Sequence, residues 1–335
     1  MGVLTDSISH SYNGEEFLTE IFYKPQHDGS GQNPFELYRV MDNVKGKRNL
    51  YKVAALQKVL REDTGCGFSA VGSAAISDKV IDPKRIRLNL EQCEADFKDE
   101  VFAHASKNGI ARDDIRGTTL DTIIQTQMVK AIQEDLVKLA WFGDDSDTDA
   151  FYGISEGYWA QILAGGFGGY TLDLNSSATF ESAGVLATDG ALAAIRNLYE
   201  NQPAAMRAVP TNEKKIFVTS TVFDNLQNTM EQTGADSGLN RISEGGALRF
   251  RGMDVVDMSL FDVSLGEVAA TNASNATGSN AIVMTLPENL VVATDISEPT
   301  AMTVWYEEKD EKVYYKSKFL FASSIIHDEL VTAAY

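Results

Sequence analysis

The chain has 335 residues, 44% of them hydrophobic and 23% charged, which is the composition of a globular protein with a sizeable core and excludes fibrous and disordered classes. Its net charge of −19 argues against tight binding of nucleic acid through the general surface. No apolar run approaches the roughly 18 residues of a membrane span, and no secretory signal opens the chain.

The first predicted element is an N-terminal arm over residues 1–44. This segment contains Gly14, Pro25, Gly29, Gly31 and Pro34 and few long apolar runs. Because such a segment cannot bury a core of its own, we expect it to become ordered only against neighbouring subunits.

A strongly basic segment follows the arm. Residues 45–61 carry six basic residues and no acidic one, and residues 45–87 carry ten basic residues against four acidic, a net charge of +6. Since the whole chain sums to −19, the rest of it carries −25. A basic arm on an acidic body favours binding to a second copy of the chain, although a charge run can also simply keep a surface hydrated.

The basic segment is predicted to be a long hairpin, Lys45–Glu91. Polar and apolar residues alternate over Lys84–Glu91, which is strand periodicity. Asn49–Leu60 is its candidate partner strand, but poor alternation leaves a short helix open. Thr64–Lys79, rich in Gly, Ser and Ala, predicts a flexible tip. An isolated hairpin is marginal in water, so it needs a surface to lie on. Its predicted contact residues are Lys45, Lys47, Arg48, Lys52, Lys58, Arg61, Arg85, Ile86, Arg87, Leu88 and Leu90.

Helices come next. A short helix is predicted over Glu94–Ser106, and a much stronger one over Thr118–Phe142, where apolar residues recur with helical spacing up to the stop at Gly143. At 1.5 Å per residue the second helix would span about 36 Å, the length of a backbone element for the whole fold.

The middle of the chain alternates helices and strands, and the end is strand-rich. The predicted elements are a helix begun near Thr188 or Asp189, a strand at Lys214–Val218, a helix capped by Ser220, strands at Met253–Met258 and Ala281–Met284 separated by a loop over Ser264–Asn280, and closing strands at Thr303–Glu308 and Lys312–Ile326. The predicted class is α+β, with a compact middle domain inserted into an elongated frame.

Catalytic motifs are absent from the sequence. The four histidines are scattered, no HExxH, GxSxG or P-loop pattern occurs, and Cys66 and Cys93 belong to no CxxC cluster. The sequence therefore predicts neither an enzyme nor a cofactor site.

One acidic run has the spacing of a calcium loop. Asp145, Asp147 and Asp149 form a D-x-D-x-D pattern with Glu156 at the twelfth position, but Ala150 stands where the loop requires glycine. We therefore favour an acidic surface loop and predict no metal site. An acidic, calcium-dependent binding protein remains the alternative of a different class.

The order of these elements resembles the major capsid proteins of tailed bacteriophages, which have the Hong Kong 97 fold shared with encapsulins. The passage from Phe142-Gly143-Asp144 to Tyr152-Gly153-Ile154 and the final run VYYKSKFLFASSIIHDELVTAAY are similar to that family. The resemblance implies an N-arm at 1–44, an E-loop hairpin at 45–91, a P-domain at 92–156 with its spine helix at 118–142, an inserted A-domain at 157–297, and closing P-domain strands at 298–335.

The resemblance also implies a function. The chain would be a structural subunit that assembles with itself into hexamers and pentamers of an icosahedral shell around double-stranded DNA, located in the virion and built in the host cytoplasm. Portal, decoration and separate scaffolding proteins are the further partners expected, and packaged DNA would lie nearby without sequence-specific contact. An encapsulin-type nanocompartment is the alternative with the same fold.

Overall fold

The computed structural model describes residues 10–11, 38–53, 76–93, 131–132, 134–164, 167–172, 174, 181–182, 185–232, 248–271, 280–295, 303–307 and 312–335. Outside these residues lie the predicted helix at 94–106, residues 64–75 of the predicted tip, the first half of the predicted spine helix and most of the arm.

The strands, in chain order, are β1 His10–Ser11, β2 Arg39–Met41, β3 Arg48–Val53, β4 Ile76–Ile81, β5 Lys84–Cys93, β6 Tyr170–Leu172, β7 Glu181–Ser182, β8 Val185–Leu186, β9 Lys215–Val218, β10 Arg249–Phe250, β11 Met253–Asp257, β12 Ile282–Thr285, β13 Leu290–Thr294, β14 Thr303–Glu307, β15 Lys312–Ile325 and β16 Val331–Ala334. The helices are α1, described over 131–132 and 134–142, α2 Tyr158–Leu163, α3 Gly190–Glu200, α4 Ala204–Arg207, α5 Ser220–Gln232 and α6 Ser259–Thr271. Short 3-10 turns occupy Tyr152–Ile154, Thr211–Glu213, Pro287–Asn289 and Asp328–Leu330.

Two mixed sheets organise the chain. In the first sheet the order is β1-β14-β15-β13-β2, and β5 pairs along the other edge of β15. In the second sheet the order is β10-β11-β9-β12-β16-β6, with β9 and β11 parallel. The pairs β3–β4 and β7–β8 form separate two-stranded sheets.

The main hydrophobic core joins α1 to both sheets. Trp141 of α1 is fully buried, with ring centroids 5.2 Å from Tyr158, 5.3 Å from Phe217 and 4.7 Å from Phe261. Phe217 belongs to the second sheet, while Phe319 and Phe321 of the first sheet share the same core. A second core, centred on α3, α5 and the strands β9 and β12, covers the other face of the second sheet. The end of α1 is therefore the element against which the fold is assembled.

Several sequence predictions are confirmed. The described part of α1 ends at Phe142, directly before the predicted stop at Gly143. Helix α3 begins after Asp189, and β9, β11, β12, β14 and β15 lie within two residues of their predicted bounds. Ser220 is the first residue of α5, but its hydroxyl donates to Asp257 instead of capping its own helix.

Other predictions are wrong. Strand β5 pairs with β15 in register from Lys84 opposite Phe321 to Cys93 opposite Lys312, so the partner of β3 is β4 and not 84–91. The long strand β15 offers a ten-residue edge, and in this position Ile86 and Leu88 of β5 pack half-buried against the main core, a contact that a short hairpin cannot provide. The predicted loop over 264–280 is helix α6 as far as Thr271. Its small residues concealed a helix that buries Phe261, Leu265 and Val268.

The predicted domain boundaries also differ from sheet membership. β13, predicted in the middle domain, lies in the first sheet, while β16, predicted among the closing strands, lies in the second. The chain thus crosses between the sheets twice near its end, through Pro287–Asn289 and through Asp328–Leu330. Within the arm, Arg39–Met41 already pairs with β13, so this part needs no neighbouring subunit for its hydrogen bonds.

The close approach of backbones at Gly143 gives a stability prediction. A Cβ at Gly143 would lie 2.1 Å from the carbonyl oxygen of Ser155 and 2.7 Å from that of Leu139. Gly143→Ala should therefore lower the free energy of unfolding by about 1–3 kcal/mol, the cost of forcing packed segments apart. Gly266→Ala in α6, where a Cβ meets nothing within 4 Å, should raise it by about 0.5–1 kcal/mol. Chemical denaturation of both variants measures the difference, and equal effects would contradict the packing described for Gly143.

Candidate subunit interface

The hairpin of β3 and β4 is a small sheet with two distinct faces. Its register places Arg48 opposite Ile81 at the base and Val53 opposite Ile76 toward the tip. Because side chains alternate across a strand, residues 49 and 51 share a face with 76, 78 and 80.

That first face, here called the outer face, is apolar and exposed. Tyr51 is 73% exposed, Ile76 66% and Val80 43%. Between them the side-chain amide of Asn49 donates to the carboxylate of Asp78 at 3.2 Å. A group of large apolar side chains in water indicates a surface that meets a partner.

The opposite face, here called the inner face, is tied to the body of the protein. Leu50 and Ile81 contact a small buried cluster in the first sheet that contains Val291, Ala293 and Ala322. The Lys79 ammonium lies 3.3 Å from the Asp328 carboxylate. The hairpin is therefore anchored at its base along one face only.

The predicted contact residues fall into three groups. Lys45, Lys47 and Arg48 are exposed at the start of the hairpin, and Lys52 is half-buried on the inner face. Lys58 and Arg61 lie outside the described residues. Arg85, Ile86, Arg87, Leu88 and Leu90 belong to β5 in the first sheet.

The prediction that the apolar residues of β5 form a contact surface is wrong for two of them. Ile86 and Leu88 are half-buried and pack against the main core of their own chain, so they are not the free apolar surface that the sequence predicts. Arg85 and Arg87 are exposed between them, and Leu90 is 45% exposed. The sequence does not predict the apolar outer face of the hairpin, because Ile76-Ser77-Asp78-Lys79 falls within the predicted flexible tip. Its signal was the alternation of Ile76, Asp78 and Val80.

An acidic surface lies where α1 meets α6. Glu134, Asp135 and Glu267 are exposed there, with the Lys138 ammonium 2.9 Å from Glu134. Partial desolvation by neighbouring groups raises the pKa of the exposed Asp135, the charge of Lys138 opposes this, and the charges of Glu134 and Glu267 raise the pKa further. Glu134 and Asp135 are among the acidic groups that could receive a basic hairpin. Asp121, Glu308, Asp310 and Glu311 lie outside the described residues, as does the side chain of Glu307.

The residues of the candidate calcium loop serve the backbone instead. The Asp147 carboxylate accepts from the amide of Asp149 at 3.0 Å, and the Asp149 carboxylate accepts from the amides of Phe151 and Tyr152 at 2.7 and 2.9 Å. In the described part of the chain, no group of three or more His, Cys, Asp or Glu side chains is arranged to hold a metal ion. The geometry thus gives no support to the calcium-dependent alternative.

Calcium titration tests this interpretation. Because the Asp147 and Asp149 carboxylates already cap local amides, we expect no heat of binding at micromolar calcium and no calcium-dependent shift in melting temperature. Tight binding that is lost in Asp147→Ala would contradict it, with Asp254→Ala, a surface carboxylate paired to Arg249 at 2.7 Å, as the matched control.

No described helix is long and apolar enough to cross a membrane. By sequence, the chain matches no protein-family model and no curated protein.

The fold of the chain is similar to that of chains in several phage capsid structures. The chain is similar over nearly its whole length to a chain of the satellite phage P4 procapsid that includes the size determination protein, with a TM-score of 0.58, 8% identity, and coverage of 95% of this chain and 98% of that one. It is also similar to the capsid of Myoviridae phage XM1, with a TM-score of 0.54, 14% identity, and coverage of 99% and 94%. For the capsid of cyanophage P-SCSP1u the TM-score is 0.53 and the identity 12%, with coverage of 92% and 91%.

At such low identity these likenesses report the fold and nothing finer. They extend over 92% or more of this chain. The protein therefore has the α+β fold of the tailed-phage capsid proteins.

Proposed function

We propose that this chain is the structural subunit of an icosahedral phage shell, forming hexamers and pentamers that enclose double-stranded DNA in the virion after assembly in the host cytoplasm. The observation that carries the proposal is the match of fold to phage capsid chains over 92% or more of the sequence. Scaffolding, portal and decoration proteins are its expected partners beyond itself, and we propose no catalytic role.

The hairpin is the part of the subunit that we assign to contact with a second copy. Its outer face exposes Tyr51, Ile76 and Val80, and its base anchors one face only. A neighbouring copy offers both the apolar contact that this face lacks and an acidic surface for the basic residues.

Charge favours a second copy over a nucleic acid as the occupant. Residues 45–53 hold four basic residues and no acidic one, whereas the chain outside 45–87 carries a net charge of −25. The acidic surface of Glu134, Asp135 and Glu267 is one place on the neighbour that could receive the basic start of the hairpin.

Sedimentation and negative-stain microscopy of the purified protein test the proposal. We expect fast-sedimenting, closed polyhedral particles above a threshold protein concentration. A species that stays monomeric at every concentration, with or without phage scaffolding protein, would contradict it. The contents of particles from the natural source separate the two shell functions, since double-stranded DNA supports a phage capsid and a protein cargo supports an encapsulin-type compartment.

A further inference from the structure

A polar cavity of about 340 Å³ lies beneath the hairpin. Its walls come from the hairpin side at Lys79 and Asp82, from the segment after α1 at Asp145 and Glu156, and from the crossover turn at Asp328. The hairpin therefore has open space on its anchored side at Lys79, while Leu50 and Ile81 hold its base against the small buried cluster of the first sheet.

Charges around this cavity are unbalanced. Four carboxylates line it, at Asp82, Asp145, Glu156 and Asp328, against the two ammonium groups of Lys79 and Lys84. Lys84 lies 3.2 Å from Asp82 and is engaged there. Lys79 is thus the remaining cation of the cavity wall for the other three carboxylates.

Lys79 now lies 3.3 Å from Asp328, but Glu156 faces the same cavity. Burial raises the pKa of Glu156, the charge of Asp145 adds to this, and Lys79 opposes it. Glu156 is therefore a carboxylate short of positive charge, with the Lys79 ammonium as the cation that acts on it.

We propose that Lys79 is a two-position switch that holds the hairpin at either of two angles, bound to Asp328 in one and to Glu156 in the other. The two carboxylates belong to different parts of the fold, the turn between the sheets and the segment after α1. A shift of the ammonium between them tilts β4, and β3 follows because six residue pairs join the strands.

The Asp328 position also connects the hairpin to the second sheet. Asn289, in the first crossover, donates to the carbonyl of His327 at 2.9 Å and accepts from its amide at 2.7 Å. The two crossovers between the sheets are thereby fastened together next to Asp328. A hairpin bound to Asp328 is joined to these hydrogen-bonded crossovers, whereas a hairpin bound to Glu156 is not.

The use of such a switch rests on the proposed function. A shell of hexamers and pentamers places identical chains in different surroundings, so the docking hairpin must meet its neighbour at more than one angle. Two ion pairs of similar strength would make both angles accessible, because a partly exposed pair contributes little to stability.

Distance measurements by double electron–electron resonance on the dilute, unassembled subunit test the switch. Spin labels at Asn49→Cys on the outer face and Arg196→Cys on α3, with Cys66 and Cys93 replaced by Ser, report the hairpin angle. We expect two distances, with Asp328→Asn depleting one and Glu156→Gln depleting the other, each by about two- to five-fold in population ratio. Asp82→Asn is the matched control on the same cavity rim and should leave the ratio unchanged.

One unchanged distance distribution in the parent, Asp328→Asn and Glu156→Gln would overturn the switch, as would an equal shift in Asp82→Asn. The readout is taken on free subunits, so it is independent of shell formation. Absence of shells would overturn the proposed function and leave the two distances as they are.

Discussion

A subunit carrying Tyr51→Asp and Ile76→Asp should fold normally and form no shells at concentrations where the parent assembles. Both side chains are more than half exposed on the outer face, so their replacement removes no core contact. Docking would bury them, and each large apolar side chain contributes about 1.5–3 kcal/mol when fully buried. An unpaired carboxylate in the same contact adds a desolvation cost.

The expected loss of docking free energy is about 3–6 kcal/mol per contact. It corresponds to roughly a hundredfold to ten-thousandfold rise in the threshold concentration for assembly. Light scattering and negative-stain microscopy across a concentration series measure the threshold, and circular dichroism verifies the fold. The control adds the same two charges elsewhere, at the exposed residues Asn212→Asp and Asn228→Asp, and should assemble like the parent. Normal shells from the hairpin variant would remove the outer face from the interface.

Reversal of Lys47, Arg48 and Lys52 to Glu should block or misdirect assembly while leaving the subunit folded. The change converts the net charge of residues 45–53 from +4 to −2. Each exposed ion pair contributes only about 0.2–1 kcal/mol, but the reversed charges would also be repelled by a body that carries −25. The electrostatic contribution therefore acts mainly on which surfaces meet, and the apolar outer face supplies most of the affinity.

The salt dependence of assembly distinguishes the charge-reversed variant from the Tyr51/Ile76 variant. Screening weakens exposed charges, so about 0.5 M salt should partly restore assembly of the charge-reversed subunit and leave the Tyr51/Ile76 variant inactive. The matched control reverses three exposed arginines away from the hairpin, in α3, α4 and β10: Arg196, Arg207 and Arg249. If the charge-reversed hairpin assembles normally at low salt, the segregation of charge along the chain is incidental.

Periodicity predicted the regular elements that bury one side. Helix α3 and helix α5 present apolar residues at helical spacing and are found where the sequence predicts them. Strand β9 is predicted from a different signal, a continuous apolar run, which is buried on both faces. The sequence does not predict helix α6, because its small, weakly patterned residues resemble those of a loop. The pairing of β5 could not be read from its alternation, which marks a strand but does not identify the partner edge.

The sequence predicts the basic residues of the candidate interface but does not predict its apolar outer face. Arg48 and Lys52 lie in β3, and Lys45 and Lys47 lie just before it, because a basic run is visible in sequence order alone. The outer face is made by register, which brings Tyr51 beside Ile76 and Val80 from 25 and 29 positions away. Such a cross-strand surface depends on the turn between the strands, and the sequence of a Gly-rich tip does not set that register.

A cryo-electron microscopy reconstruction of the assembled particle tests the central claim most directly. We predict a closed icosahedral shell of hexamers and pentamers in which the outer face of each β3–β4 hairpin is covered by a neighbouring subunit and Tyr51 loses its exposure. A reconstruction in which these hairpins touch only their own chain, or in which the protein forms no closed shell, would contradict the account.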